Sequence, residues 1–172
     1  MRRATVILAL ALAVLAESAS AQDRTTTQSA GISGTTNCTF IQGTATRTVQ
    51  TSGATQTWLQ ISVKTCPTGS TVPTTLEFSR YLVIPDTDLQ FTSRGAQLHT
   101  SIPEGEVVLS WTVTRATHNS YQASWIWDGD AETPRRQSDQ SDTYSATPTG
   151  TVGSRIADGR TGYILSAVGT QK

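Results

Sequence analysis

The chain has 172 residues, of which 36% are hydrophobic, and its 13 lysines and arginines balance its 13 aspartates and glutamates. This length suits one domain with a core of its own. Because the balanced charge forms no basic patch or acidic tail, nucleic acid and anionic membrane surfaces are excluded from the expected partners.

Residues 1–21 predict a secretory signal peptide. Arg2 and Arg3 supply a positive start, Ala4 to Ala16 is almost entirely apolar, and Ala19-Ser20-Ala21 offers the small residues that signal peptidase accepts. The apolar run is shorter than the ~20 residues that a membrane-spanning helix needs. We therefore expect a secreted, extracellular or periplasmic protein without a membrane span after cleavage.

Residues 22–36 contain one large hydrophobic residue, Ile32, and no periodic pattern, which is typical of a flexible leader. Residues 37–172 are predicted to form a single all-β domain, because apolar residues alternate along several segments that turn residues separate. In the segment TWLQISVKTC, for example, Leu59, Ile61 and Val63 fall on one face of a strand.

Cys38 and Cys66 are the only cysteines of the chain. In the oxidising compartment that the signal peptide implies, they are expected to form one disulfide. Closing that loop would stabilise the fold by roughly 3–4 kcal/mol in the chain-entropy description.

Many short alternating segments, with no helical pattern among them, predict an antiparallel β-sandwich of immunoglobulin-like architecture with about seven to nine strands. A closed β-barrel or a jelly roll is the alternative. Threonine, which is β-branched and favours strands, occupies 30 positions after residue 21 and fits the same class.

One hairpin is predicted around Thr117-His118-Asn119, which would join EVVLSWTVTRA to SYQASWIWD. A three-residue loop places Trp111 opposite Trp125, with Trp127 on the same face, and buries all three. A two- or four-residue loop would shift the register by one residue and leave Trp125 and Trp127 as an exposed platform.

A second hairpin is predicted at Asp158-Gly159, a pair of residues that suits a type I′ turn. Reading outward from this turn pairs Ile156 with Thr161. The last strand is then expected to bury Leu165, with Tyr163 and Ala167 beside it.

Candidate partner-binding residues fall in two places. Trp58 lies on the strand face opposite to Leu59, so its ring is expected to be exposed. Residues Asp128 to Gly150 contain no Leu, Ile, Val or Phe and are predicted to form a long polar loop, a usual location for function. The candidates in this loop are Asp128, Asp130, Glu132, Arg135 and Arg136.

The three carboxylates of this loop could supply oxygen ligands to calcium. An EF-hand is not formed, however, because Thr133 and Asp139 stand where that motif requires Gly and Glu. A solvated, ion-paired loop is the favoured interpretation, and neither a metal nor another cofactor is expected.

The sequence contains no G-x-S-x-G, H-E-x-x-H or Gly-rich phosphate motif. We therefore expect a non-catalytic binding module that meets a protein or a carbohydrate through its end loops. One alternative is a secreted glycoside hydrolase that uses a carboxylate pair such as Glu104 and Glu106. Another is a structural subunit of a surface fibre.

Overall fold

Ten antiparallel β-strands form one sheet in the computed structural model, which describes residues 23–127 and 135–171. The strands are β1 Asp23–Thr36, β2 Thr39–Gln50, β3 Thr55–Thr65, β4 Thr75–Val83, β5 Leu89–Thr92, β6 Gly95–Ile102, β7 Gly105–Trp127, β8 Arg135–Val152, β9 Arg155–Ile156 and β10 Thr161–Gln171. Within these ranges the one helical element is a single 3-10 turn, Asp86–Asp88. The predicted all-β antiparallel class is confirmed, with ten strands instead of seven to nine.

The strands follow the order β4-β3-β2-β1-β10-β8-β7-β6-β5, and β9 pairs with β8 beside this path. The sheet is not closed, because β4 and β5 are both edge strands. It curls over one hydrophobic core to which both halves contribute: Leu59 of β3, Leu89 of β5 and Leu109 of β7 belong to the same buried cluster. The result is a sandwich-like body made from one continuous sheet.

The 3-10 turn carries the chain from one edge strand to the other and is fixed against β2 and β3. Arg47 donates hydrogen bonds to the carbonyl oxygens of Asp86 and Leu89. Thr57, which is buried, donates its hydroxyl proton to Oδ1 of Asp86 at 2.6 Å. These side chains close one end of the core.

Two ion pairs connect the edge strand β4 to the opposite half of the sheet. Arg80 faces the core side of β4 and pairs with Glu104 in the turn before β7. Nη2 of Arg155 in β9 lies 2.6 Å from Oε1 of Glu77, and this contact raises the pKa of Arg155. Charges on an edge strand also discourage pairing with another chain.

The predicted alternation of β3 is confirmed. Leu59, Ile61 and Val63 are fully buried, whereas the residues between them face outward. Burying each such side chain contributes roughly 1.5–3 kcal/mol. The predicted disulfide is also formed: Cys38 and Cys66 are bonded with their Cα atoms 5.5 Å apart.

The prediction of a flexible leader at residues 22–36 is wrong, because Asp23–Thr36 is β1, a central strand between β2 and β10. Small residues suit this strand because large side chains of other strands pack against its backbone. The ring of Tyr163 occupies the space where a side chain on Gly31 would stand. From the core side, Nε1 of Trp111 donates a hydrogen bond of 2.8 Å to the carbonyl oxygen of Gly31.

The predicted hairpin at Thr117-His118-Asn119 is also wrong. These residues lie inside β7, where the register with β8 shifts between Val113 and His118 and the pairing then continues. An irregularity of this kind can bend a strand without ending it. The alternative two- or four-residue loop is not formed there either.

The tryptophan pairings that followed from this hairpin change with it. Trp111 is buried, as predicted, but it pairs with Pro148 and not with Trp125. Trp125 pairs with Gln137 and Trp127 with Arg135. The burial of the Trp125 and Trp127 side chains lies outside the described residues.

The predicted polar loop from Asp128 to Gly150 is wrong from Arg135 onward, because residues 135–152 form β8. This strand needs few large apolar side chains, since backbone hydrogen bonds hold it to β7 on one side and to β10 or β9 on the other. Pro148, which cannot donate such a bond, falls between Ala146, the last residue paired with β10, and Thr151, the first paired with β9.

The predicted Asp158-Gly159 hairpin is wrong as well. Ile156 pairs with Thr151, and Thr161 pairs with Ser33 of β1. Gly159 has a positive φ of 80°, but Asp158 does not, so a type I′ turn is not formed. The turn with two positive φ values is Asn37-Cys38, at 47° and 61°, between β1 and β2.

Arg160 gives the physical reason for the path of the chain after Gly159. Its buried guanidinium donates hydrogen bonds to the carbonyl oxygens of Gly34, Thr39 and Ile156. Desolvation lowers the pKa of this group, and the nearby Asp158 opposes the shift. The arginine therefore ties the start of β10 to β1 and β2, and also to Ile156 at the end of β9.

Candidate functional site

A central area on the outward side of β10, β1, β2, β3 and β4 forms the candidate site, which we call the uncharged face. Residues on neighbouring strands line up there in four cross-strand rows. The two central rows are Tyr163-Gly31-Thr44-Gln60-Tyr81 and Leu165-Ser29-Thr46-Trp58-Val83. The two flanking rows are Thr161-Ser33-Gln42-Ser62-Ser79 and Ala167-Thr27-Thr48-Gln56.

No residue of these four rows is an aspartate, glutamate, lysine, arginine or histidine. The rows hold instead a high proportion of hydroxyl and amide side chains. Outward positions of a sheet are the usual place for charged residues, which are rarely buried. The four rows therefore form an uncharged area that crosses five strands, and it ends at Lys64, which follows Ser62 on the same side of β3.

Trp58 and Tyr81 form an aromatic pair at the β3–β4 side of the face. Their ring centroids lie 5.5 Å apart with an angle of 30° between the planes. Trp58 is half-buried, and Tyr81 is 66% exposed, as is much of the adjacent Val83, at 68%. Trp58, which was expected to be exposed, is half-buried. It belongs to a larger patch that also contains the exposed side chains of Tyr81 and Val83.

Tyr163 provides a third ring at the β10 side of the face. A Cβ atom on Gly31 would stand 2.0 Å from Cε1 of Tyr163, so the ring lies directly against the backbone of β1. The phenolic oxygen of Tyr163 is 3.2 Å from the hydroxyl oxygen of Thr44 on β2, within hydrogen-bonding distance. The side chain keeps 37% of its surface exposed.

This position of Tyr163 corrects the expectation that it is buried beside Leu165. In β10 the buried residue is Ile164, and both Tyr163 and Leu165 face outward. The incorrect turn at Asp158-Gly159 displaced the predicted register, and a shift of one residue exchanges the two faces of a strand.

Two buried hydroxyl groups form the floor between the aromatic ends of the face. Oγ of Ser29 and Oγ1 of Thr46 are 2.9 Å apart and hydrogen-bonded to each other. Each hydroxyl therefore has a partner within the protein. The exposed amides of Gln42, Gln56 and Gln60 surround this floor and can donate and accept hydrogen bonds with a ligand.

The other candidate residues are not brought together with Trp58. Asp128, Asp130 and Glu132 lie outside the described residues. Arg135 and Arg136 begin β8 and pair with Trp127 and Ile126, and their side-chain contacts also lie outside the description. Their proposed role in partner binding stays a prediction.

The carboxylate pair considered for hydrolysis has separate partners. Glu104 pairs with Arg80. Glu106 accepts a hydrogen bond of 2.6 Å from Ser101 and lies 3.2 Å from Nε2 of His99. Within the described ranges, no group of three or more His, Cys, Asp or Glu side chains is arranged to hold a metal ion.

The outward side of β5 to β8, which we call the second face, has a different character. It contains a groove of about 590 Å³ between these strands and the 3-10 turn. Its polar lining includes Thr87, Asp88, Gln90, Gln97, His99, Ser110 and Thr149. Charged and titratable groups are present at this groove, and no aromatic ring of Trp, Tyr or Phe lines it.

Sequence reasoning missed Tyr81 and Tyr163 as part of the site. Tyr81 could have been found from the alternation of β4, because it stands between Arg80 and Leu82 on the face opposite to the core. Tyr163 could be found only with the correct register of β10.

No family model, curated protein or solved structure matches the chain. In the part of the chain that the structure describes, no helix is long and apolar enough to cross a membrane.

Proposed function

We propose that this chain is a non-catalytic binding protein that recognises a neutral glycan through the uncharged face. The observation that carries the proposal is the combination of exposed aromatic rings with hydroxyl and amide groups on a surface without charge. Aromatic rings offer flat apolar surfaces with a negative quadrupole to the C–H groups of a sugar ring. The hydroxyl and amide groups match sugar hydroxyls as donors and acceptors.

A protein partner fits this surface less well. Protein interfaces are enriched in arginine and have a polar rim, in which charged pairs set the orientation of the partners. The central and flanking rows of the uncharged face provide no charged side chain for this purpose. A nucleic acid would require positive charge for its phosphates, which the face also lacks.

We further propose that the protein acts outside the cytoplasm, as the predicted signal peptide implies. The Cys38–Cys66 disulfide supports this location, because such bonds persist in oxidising compartments. Recognition through a sheet face replaces the expected recognition through end loops, since most of the supposed loop is the strand β8.

The experiment that tests the proposal measures retention of residues 22–172 on immobilised polysaccharides. The panel contains neutral polymers (cellulose, chitin and a soluble β-glucan) and acidic polymers (alginate and hyaluronan). We expect retention by at least one neutral polymer, and we expect Trp58→Ala to weaken it by about tenfold, which corresponds to ~1.4 kcal/mol.

The matched control is Val108→Ala, which removes an exposed apolar side chain of the second face, 43% exposed, and leaves the uncharged face intact. It should bind as the unaltered chain does. The proposal is wrong if no neutral polymer retains the protein, or if Trp58→Ala and Val108→Ala bind equally well while both remain folded by circular dichroism.

A further inference from the structure

The three rings of the uncharged face, two exposed and one half-buried, are arranged along one direction. Tyr163 and Tyr81 stand at the two ends of the same cross-strand row, and Trp58 lies beside Tyr81 in the adjacent row. The two flanking rows contain no aromatic residue. The stacking surfaces therefore form a strip that crosses the strands and does not run along them.

The length of this strip follows from strand spacing. Four steps between neighbouring strands separate Tyr163 on β10 from Tyr81 on β4. With about 4.8 Å for each step, the backbones at the two ends are roughly 19 Å apart along the row, and the Tyr163 ring, which lies over β1, brings the stacking surfaces closer together than this. A single sugar ring can meet one end of the strip but not both.

The residues between the two ends continue the strip with polar groups. The Tyr163 ring extends across β1 and reaches the hydroxyl of Thr44 on β2. The exposed amide of Gln60 follows on β3, next to Tyr81. A chain of linked sugars laid along the row would thus stack at both ends and find hydrogen-bonding groups between them.

We infer that the uncharged face binds an extended, neutral polysaccharide chain across the strands, with one stacking subsite at Tyr163 and another at Trp58 and Tyr81. This inference rests on the proposed function. Engaging two linked subsites makes the second contact intramolecular and raises the affinity without a new kind of contact. Affinity should therefore increase with chain length until the ligand covers the strip.

The test uses soluble oligosaccharides of increasing length, prepared from the neutral polymer that the protein retains, with affinity measured by isothermal titration calorimetry. We expect the affinity to rise with length and then to level off. Tyr163→Ala should lower the affinity for the longest chain by about tenfold but leave that for the disaccharide unchanged, because the disaccharide uses the Trp58–Tyr81 subsite. Tyr81→Ala should weaken both ligands.

Three further variants keep the test decisive. Gly31→Ala displaces the Tyr163 ring without removing it, so it should reproduce the Tyr163→Ala effect even if that variant folds poorly. Tyr163→Phe keeps the ring and should retain the long-chain affinity within about twofold. Val108→Ala, on the second face and outside the four rows, is the matched control and should bind as the unaltered chain does.

The inference is overturned if affinity is independent of chain length, or if Tyr163→Ala weakens the disaccharide as much as the long chain. Either result, combined with a loss of binding in Trp58→Ala, leaves the proposed function standing. The absence of binding to every neutral polymer removes both, so the two failures are distinguishable.

Discussion

The two outward faces of the curled sheet obey the same alternation of buried and exposed residues but differ in chemistry. On the uncharged face, Trp58, Tyr81 and Tyr163 stand among hydroxyl and amide groups. On the second face, Asp88 and His99 line a groove without aromatic rings. Solvent exposure alone therefore explains neither pattern, since both faces are outward sides of one sheet.

The two faces differ in the free energy that is needed to remove water from them when a ligand binds. A ligand that covers the second face must remove water from charged groups, which is unfavourable unless the ligand pairs with them. The uncharged face presents apolar rings and neutral polar groups, which a neutral ligand can cover with hydrogen bonds in place of water. For this reason the same fold offers two surfaces with different partner chemistry.

The largest expected effect tests whether the two faces share one folding unit. Replacing both Cys38 and Cys66 by Ser should lower the free energy of unfolding by about 3–4 kcal/mol, because the bond closes a loop of 28 residues in the unfolded chain. Since both halves contribute to one core, tryptophan fluorescence and far-ultraviolet circular dichroism should report a single transition at a lower Tm.

Binding supplies the second measurement on this variant. The disulfide lies at the turn between β1 and β2, outside the aromatic strip, so glycan affinity well below the Tm should not change. Two separate unfolding transitions would show that the faces belong to independently stable halves and would contradict the shared core.

A smaller effect sharpens the difference in charge between the faces. Gln60→Glu places a carboxylate in the centre of the uncharged face and should lower the affinity for a neutral glycan by about tenfold, because the ligand would have to desolvate it. Gln97→Glu is the matched change at an exposed glutamine of the second face, and it should have no effect.

Salt provides an additional distinction in the same titrations. The loss in Gln60→Glu arises from desolvation and not from long-range repulsion, so it should persist at high ionic strength. Equal affinities of the two glutamate variants would show that the absence of charge does not define the binding surface.

Part of this arrangement could be predicted from the sequence. The alternation in β3 places Leu59, Ile61 and Val63 inside and Trp58 outside, since period-two patterning is a local property of one strand. The disulfide followed from two cysteines and an export signal. The all-β class followed from many such local patterns.

The rest depended on contacts between segments that are distant in the sequence. The small residues of β1, such as Gly31, suit a central strand because Tyr163 and Trp111 approach them from either side. The hydrogen bonds of the buried Arg160 to backbone carbonyl oxygens produce no recognisable pattern in the local sequence. The same is true of the shift in register between β7 and β8 near His118. The uncharged face could not be predicted without knowing that β10 lies between β1 and β8, because Tyr163 joins the face only in that arrangement.

The smallest expected effect concerns the floor of the uncharged face, where Ser29 and Thr46 share a buried hydrogen bond. Either Ser29→Ala or Thr46→Val alone should cost about 1 kcal/mol of stability, because each leaves the other hydroxyl buried without its partner. The double variant should cost less than the sum of the two, since it leaves neither hydroxyl buried without a partner.

Chemical denaturation of the four proteins in this double-mutant cycle gives the coupling energy directly. We expect a coupling of about 1 kcal/mol and glycan affinities within twofold of the unaltered chain, because the two hydroxyls bond to each other and not to a ligand. Additive losses would show that the hydroxyls act independently. A large loss of affinity in the single variants, with stability unchanged, would instead make Ser29 and Thr46 contact residues of the face and extend the strip toward Leu165.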